Sequence, residues 1–503
     1  MLRHCLLPKH RQECLCHTTS RLYQQSREYG RIHVAQTLLS VLVRLATLEK
    51  INAAAPRIQY AALMTHRSIG ILGGGISGVA LASFLGDDVE VVERRHSIGG
   101  LCGTIVEDGF TFDAAGPHIM FSKNKEVLNL MVETLGDNVH QRRRENKIWF
   151  KGRFVKYPFE NDLASLPPED NFDCIYGYIV NPHSDDTPSN LAEWSYKTFG
   201  AGISEKYFIP YNEKIWNYPA TKLGLEFVER IPKPPMEDVL KSSIGISTEG
   251  YLHQLHFYYP VEGGYESLVH AFAKNVRGDI RTNWRVASVA RDGQKWRVTS
   301  ADGDERTYDT LVSTLPIHEL LKVWTDAPDD VHKLAATLRY NSLINVLIGC
   351  NEDRGYPYTA LYVPDPSLLF HRLSFPKAFS EHCVPAGSSS VMAEITTNEG
   401  GDGVWEMTDE AIIDRTIREL EMTGLVDPNT IVYRKAIRFL YGYPVYDLDY
   451  RANVTAMRNT VAATGLHLLG RFAQFDYINS DVCIERALAL SKTLSADFAD
   501  SHR

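Results

Sequence analysis

The clearest hydrophobic pattern begins at Ser68-Ile-Gly-Ile-Leu72, a short apolar run that enters Gly73-Gly-Gly75 and continues as the apolar stretch Ile76–Leu85. A short apolar run ended by glycines reads as a buried strand, and the longer run behind the turn reads as a helix with little polar face. Val89-Glu-Val-Val-Glu93 then reads as a second buried strand. Farther along, helical spacing predicts helices over 123–136, 191–209, 265–276 and 409–423, with an aromatic and proline-rich stretch joining the first two. Short β-branched runs predict strands over 284–291, 294–300, 307–315, 340–349 and 391–397. Leu466–Arg471 predicts a late buried strand, followed by a helix reaching about Leu494. No internal repeat or long linker interrupts this order.

The glycines carry the first chemical signal. Gly73, Gly75 and Gly78 form GxGxxG between a strand and a helix, the arrangement that lets backbone turn tightly, approach a pyrophosphate and pack a helix close to its sheet. Ile76 and Ser77 open the helix, where exposed amides favour phosphate. Glu93 ends the next strand 20 residues after Gly73, placed to accept hydrogen bonds from ribose hydroxyls. The unit is therefore read as a dinucleotide site. No second glycine fingerprint marks a separate NAD(P)H domain.

Composition narrows the class further. With 44% apolar and 23% charged residues and a net charge of −9, the chain reads as globular and shows no basic nucleic-acid footprint. Its eight cysteines lack repeated spacing, and the CxC of Cys14 and Cys16 has no second pair, so neither a disulfide scaffold nor a metal site is expected. Residues 1–64 show no secretory pattern. Within them Ile32–Ala55 is interrupted by Arg44, Glu49 and Lys50, so integral membrane association is not expected and a cytoplasmic location is. This segment is read as an N-terminal extension or an upstream-start artefact, a transit peptide being weaker. GxSxG and HExxH are absent, which removes the common hydrolase readings.

After Glu93 the chain reads Arg94-Arg-His-Ser-Ile-Gly-Gly100-Leu101-Cys-Gly-Thr, which resembles the ER-x-x-x-x-GG continuation of the FAD-dependent amine oxidase and protoporphyrinogen oxidase superfamily. That resemblance implies FAD rather than NAD. It puts Arg94, Gly99, Gly100 and Leu101 beside the diphosphate, with Gly470, Arg471 and Asp481 in the last FAD-contacting strand and helix.

Further marks are similar to the UDP-galactopyranose mutase branch, patchily over residues 66–495. Gly116-Pro-His-Ile-Met-Phe resembles GPHIFHT without its second histidine, which implies that His118 lies near the flavin ring. Tyr211-Asn-Glu-Lys-Ile-Trp216 resembles YTEKQW, with Ile215 in place of glutamine, and implies a pocket role for Tyr211 and Trp216. Arg230-Ile-Pro resembles RIPVR, but Pro234 stands where that motif has its diphosphate-binding arginine, and the adjacent Lys233 cannot reproduce a bidentate fork. Arg372 matches an arginine placed near substrate diphosphate, Tyr443 falls in a YPI-x-D-like stretch, and Tyr477 matches a substrate-contacting tyrosine.

The resemblance implies an α/β protein: a Rossmann-like FAD-binding domain with a helical insertion and an antiparallel-sheet substrate domain. The expected partition is 1–64 extension, 65–122 FAD-binding, 123–255 mainly helical substrate region, 256–325 FAD-binding, 326–430 sheet-containing substrate region and 431–500 FAD-binding. It also implies pyranose/furanose isomerisation of a nucleotide sugar through reduced FAD, with NAD(P)H as an external reductant. On that reading His118, Arg372 and Tyr477 are the catalytic candidates, and Tyr211, Trp216, Arg230, Arg372, Tyr443 and Tyr477 bind substrate. An oxidoreductase of the amine-oxidase type stays open as the alternative, as does a flavin-binding protein without catalysis.

Overall fold

Helix Ile76–Phe84 is apolar nearly all round, and such a helix is stable only when covered on every side. Its residues Ile76 through Ala82 are all buried. The sheet lies on one side, and helices Glu266–Ala273 and Ser480–Ser501 cover the others. The computed structural model describes residues 65–228, 231, 233–248 and 255–501, within a unit spanning Met64–Arg503. The expectations for residues 1–64 and for Arg230 lie outside the described residues.

Six strands of the first sheet run in the order Val286–Asp292, Lys295–Ser300, Glu305–Ser313, Thr65–Leu72, Val89–Val92, Asp279–Arg281. A seventh, Leu466–Leu468, pairs with the end of Glu305–Ser313. The strands beside Thr65–Leu72 are parallel to it, as a βαβ crossover requires. Val286–Asp292, Lys295–Ser300 and Glu305–Ser313 form an antiparallel meander on one flank. Loops leaving the carboxyl ends of the parallel strands converge on one crevice, the usual ligand position in such sheets.

A second seven-stranded sheet runs Ile431–Pro444, Tyr340–Cys350, Ser389–Thr397, Arg372–Ser374, Ala360–Tyr362, Asn146–Phe150, Arg153–Lys156. All its pairings are antiparallel except Ala360–Tyr362 with Asn146–Phe150. Tyr340–Cys350 is buried along almost its whole length, in keeping with its apolar residues from Leu343 to Ile348, interrupted only by Asn345. The fold class is thus the expected α/β arrangement, a Rossmann-like sheet with a largely antiparallel second sheet.

Ile431–Pro444 pairs with Tyr340–Cys350 in the second sheet, so the chain returns to the first sheet after Pro444 and not at 431. The hairpin Asn146–Lys156 also joins the second sheet from within the stretch read as mainly helical. Pairing between residues about 80–100 apart in the first case and about 210 apart in the second leaves no local trace in either segment. The helix expected over 191–209 runs Leu191–Ile203, passes through a wider turn at 204–208 and resumes as Ile209–Trp216.

Candidate functional site

The two sheets flank a cleft of about 450 Å³. Its floor is the glycine turn. Gly73 holds φ +105°, and a Cβ on Gly78 would stand 2.2 Å from the Gly73 carbonyl oxygen, so the helix start can approach the turn this closely only without a side chain. Helix Ile76–Phe84 begins at Gly75 with no side-chain cap, leaving its first amides for a ligand. Glu93 accepts from the amides of Gly74 and Arg95, both at 2.8 Å. Each carboxylate oxygen retains a lone pair for a ribose hydroxyl.

Gly73, Gly75, Ile76, Ser77, Glu93, Arg94, Gly100, Leu101, His118, Gly470 and Arg471 all line the cleft. Gly78 acts one layer behind it, through packing. Asp481 is not among the lining residues: its carboxyl bonds Ser122, and burial raises its pKa. The neighbouring Ser480 and Cys483 present the start of the last helix to the cleft instead.

His118 is held from behind. Asp113 accepts from the His118 amide at 3.1 Å, the Tyr265 amide at 2.9 Å and the Tyr259 hydroxyl at 3.0 Å, which pins the loop that carries the imidazole. The His118 ring stacks on Tyr265 at 5.2 Å, and its buried Nδ1 has no hydrogen-bond partner. Burial, and then the charges of Arg471 and Arg372, push the His118 pKa down to about 3. The ring is therefore neutral across the physiological range.

A titration follows from this. The folded-state value lies below the ordinary 6.5, so the stability contributed is complete above pH 6.5 and is lost as pH falls toward 3, where the unfolded chain binds the proton first. Histidine NMR is expected to show the His118 imidazole staying neutral below pH 5, and buried His371, whose pKa burial also holds well below the ordinary value, resisting protonation with it. His118→Gln is expected to flatten the acid side of the urea-stability profile between pH 6.5 and 4.

Arg471 donates from Nε to the Ile478 carbonyl at 2.8 Å, and its guanidinium lies 5.1 Å from the Tyr477 ring. Tyr477 in turn packs edge-on to Trp216 and Tyr443, each at 5.5 Å, so three pocket candidates form one aromatic cluster next to the cleft cation. Tyr211 stands apart. It is packed on Tyr207 at 5.6 Å and Tyr362 at 5.4 Å and, like Trp216, Tyr443, Tyr477 and Arg372, is not among the residues that line the cleft.

Arg372 is committed elsewhere than expected. Its Nε and Nη2 bind the two oxygens of Glu394 at 2.5 and 2.7 Å, and Glu394 is fully buried. The pair sits under Gly116, where a Cβ would come within 2.7 Å of Glu394. Two Arg372 nitrogens are therefore already matched to a carboxylate.

Sequence reasoning passed over Asp113, Glu394 and Trp284. Asp113 stands three residues before Gly116 of the Gly-Pro-His loop, and Glu394 is the one charge in an otherwise uncharged strand, so both carried a local signal. Trp284 lines the cleft with a buried, unpaired Nε1, a fact that only the fold reveals.

The glycine cradle, the uncapped helix start, the ribose-directed carboxylate and two unpaired buried nitrogens together fit a flavin dinucleotide. Residues 76–435 match the profile described as flavin containing amine oxidoreductase. The chain belongs to that family. As a member of it the protein is a flavoenzyme with FAD as its cofactor. A UDP-galactopyranose mutase of Mycoplasma genitalium is 29% identical over 175 residues, 32% of this chain and 42% of that protein. Polyamine oxidase 4 of Oryza sativa subsp. japonica is 24% identical over 273 residues, 50% of this chain and 51% of the relative. The chain thus spans about half the length of the curated relatives it matches. The crystal structure of a reduced UDP-galactopyranose mutase superposes with a TM-score of 0.77 at 23% identity, covering 86% of this chain and 94% of that one, a likeness of fold. No described helix is long and apolar enough to cross a membrane.

Proposed function

We propose that the protein interconverts the pyranose and furanose rings of a nucleotide-activated sugar on reduced FAD. The observation that carries this reading is the cluster of Trp216, Tyr443 and Tyr477 abutting Arg471, with neutral His118 on the cleft wall. A sugar suits such a cluster beside the cleft, because its C–H faces pack on aromatic rings while its hydroxyls need donors and acceptors at the rim. The fold likeness to a reduced mutase supports the same choice.

When bound, reduced FAD supplies the nucleophilic centre that the protein side chains lack. The chain's own residues do the positioning. Gly73, Gly75 and the first amides of the following helix hold the diphosphate of FAD, and Glu93 takes its ribose. His118 orients through Nδ1 without carrying charge, and Arg471 supplies a fixed positive charge at the flavin edge. Tyr443 and Tyr477 address the sugar, Trp216 closes the apolar side, and Tyr211 packs on Tyr207 and Tyr362. Arg372, through its remaining nitrogen, and Arg230 serve the substrate diphosphate. NAD(P)H is the external reductant in this reading, and the cytoplasm is its compartment.

A hydride-accepting oxidoreductase is the second reading. It is favoured by the Arg372–Glu394 pair and by Pro234 in the position of a diphosphate arginine, which together leave the anion site weaker than a nucleotide diphosphate requires. Anaerobic product analysis separates the two. Ring isomerisation of a nucleotide sugar by dithionite-reduced protein, and none by oxidised protein, is the expected result. Substrate-dependent bleaching of oxidised flavin by an amine or another hydride donor, without isomerisation, would decide for the oxidoreductase.

A further inference from the structure

The loop that follows Glu93 holds two residues that the cleft does not use. Arg94, Arg95, Gly99 and Gly100 line the cleft, but His96 and Ser97 do not. His96 is exposed and Ser97 half-buried, and neither forms a hydrogen bond to another described residue. The chain is fastened on either side of them. The Asn283 amide donates to the Arg95 carbonyl at 2.8 Å, the Gly99 amide donates to the Gly74 carbonyl at 2.9 Å, and Ile98 is buried. His96 and Ser97 are therefore the unsupported apex of the loop, with an unpaired serine hydroxyl.

The residues ahead of that hydroxyl carry a second pattern. Arg94-Arg-His-Ser97-Ile98 places guanidinium groups three and two residues before a serine and an apolar residue directly after it. Nowhere else in the 503 residues do two arginines stand at that spacing from a serine or threonine. Protein kinases select substrates by charge pattern, and an acidic kinase groove reads arginines at these two positions. Both side chains are exposed. Arg94 pairs with no described carboxylate, and the Arg95 guanidinium donates to the Gly100 carbonyl at 3.4 Å, a long contact.

We propose that Ser97 is a phosphorylation site for a protein kinase with an acidic substrate groove, and that its phosphate and FAD exclude each other. The kinase passes the γ-phosphoryl group of Mg-ATP to the Ser97 Oγ: the bond from phosphorus to serine forms as the bond to ADP breaks, and the hydroxyl proton goes to the kinase's catalytic aspartate. Phosphoserine carries about −1.5 to −2 charge at neutral pH and binds guanidinium groups through charge-assisted hydrogen bonds. Arg94 and Arg95 stand within three residues of it, so the phosphate draws away the same cations that line the cofactor cleft. Its charge also repels a diphosphate settling beside Gly99 and Gly100. The coupling is reciprocal: whatever affinity for FAD the phosphate removes, bound FAD removes from the phosphorylated form. The exclusion needs only FAD in the cleft, whichever reaction the flavin serves.

Incubation of the full chain with the catalytic subunit of cyclic-AMP-dependent protein kinase and Mg-ATP, read by intact and peptide mass spectrometry, tests this. The FAD-free chain is expected to take up one phosphate, on Ser97, and saturating FAD is expected to slow that uptake about tenfold or more. In fluorescence titration the phosphorylated chain is expected to bind FAD about tenfold or more weakly, and phosphatase treatment is expected to restore the affinity. Ser97→Ala is expected to bind FAD as wild type does and to take up no phosphate at this loop. Ser97→Glu needs no kinase and is expected to weaken FAD binding while the thermal unfolding of the FAD-free chain stays that of wild type. No phosphate on Ser97 of the FAD-free chain, uptake indifferent to FAD, or unchanged FAD affinity after complete phosphorylation would overturn the proposal.

Discussion

Gly78→Ala is expected to lose flavin and stability together, whereas Gly75→Ala is expected to lose flavin alone. A methyl group on Gly78 meets the Gly73 carbonyl oxygen at 2.2 Å and Ile71 at 3.1 Å, so the helix must leave the strand and take the phosphate-facing amides with it. Overpacking against backbone costs about 1–3 kcal/mol. The accompanying shift of the cradle is expected to weaken FAD binding about 100-fold. A methyl on Gly75 meets nothing nearer than the Gly100 Cα at 3.9 Å, and its φ of −76° and ψ of 176° suit any residue. It projects at the turn where backbone amides approach the diphosphate. Its apo stability is therefore expected to stay within about 0.5 kcal/mol of wild type, with FAD affinity again reduced about 100-fold. Urea denaturation of the apo proteins and fluorescence titration with FAD read the two quantities separately. Equal flavin affinity in Gly75→Ala and wild type would place the diphosphate away from this turn.

The contrast between these glycines shows which part of the molecule its sequence discloses. The βαβ unit is legible because strand, turn, helix and carboxylate lie within about 30 consecutive residues, and each is forced by local sterics or periodicity. The second sheet is only partly legible. Tyr340–Cys350 announces itself by continuous burial, but its partner Ile431–Pro444 mixes lysine and arginine with apolar residues and gives no sign of which sheet it joins. Within the site, His118 and Arg471 were readable because short motifs surround them. The commitment of Arg372 to Glu394 was not, since it depends on the register between strands Arg372–Ser374 and Ser389–Thr397, which sets those two residues directly opposite each other. Glycine sterics act locally; ion-pair partners are chosen by topology.

That register makes Glu394 the residue whose loss is expected to destabilise the fold most. Glu394→Leu leaves the Arg372 guanidinium beside His118 with no counter-charge, and breaking a buried pair from one side costs about 3–5 kcal/mol. Removing both charges is different, because two desolvation penalties disappear with the attraction they oppose. The double variant Glu394→Leu with Arg372→Leu is expected to recover most of that loss, giving a coupling energy of about 2–3 kcal/mol in urea denaturation. The recovered fold then isolates the ligand question. If the remaining nitrogen of Arg372 engages a substrate diphosphate, the stable double variant binds uridine diphosphate at least about tenfold more weakly than wild type, a difference of about 1.4 kcal/mol. If Arg372 serves only to neutralise Glu394 and fasten two strands under the Gly116 loop, nucleotide affinity is unchanged. The anion site must then be built from other cations of the cleft, Arg471 foremost among them.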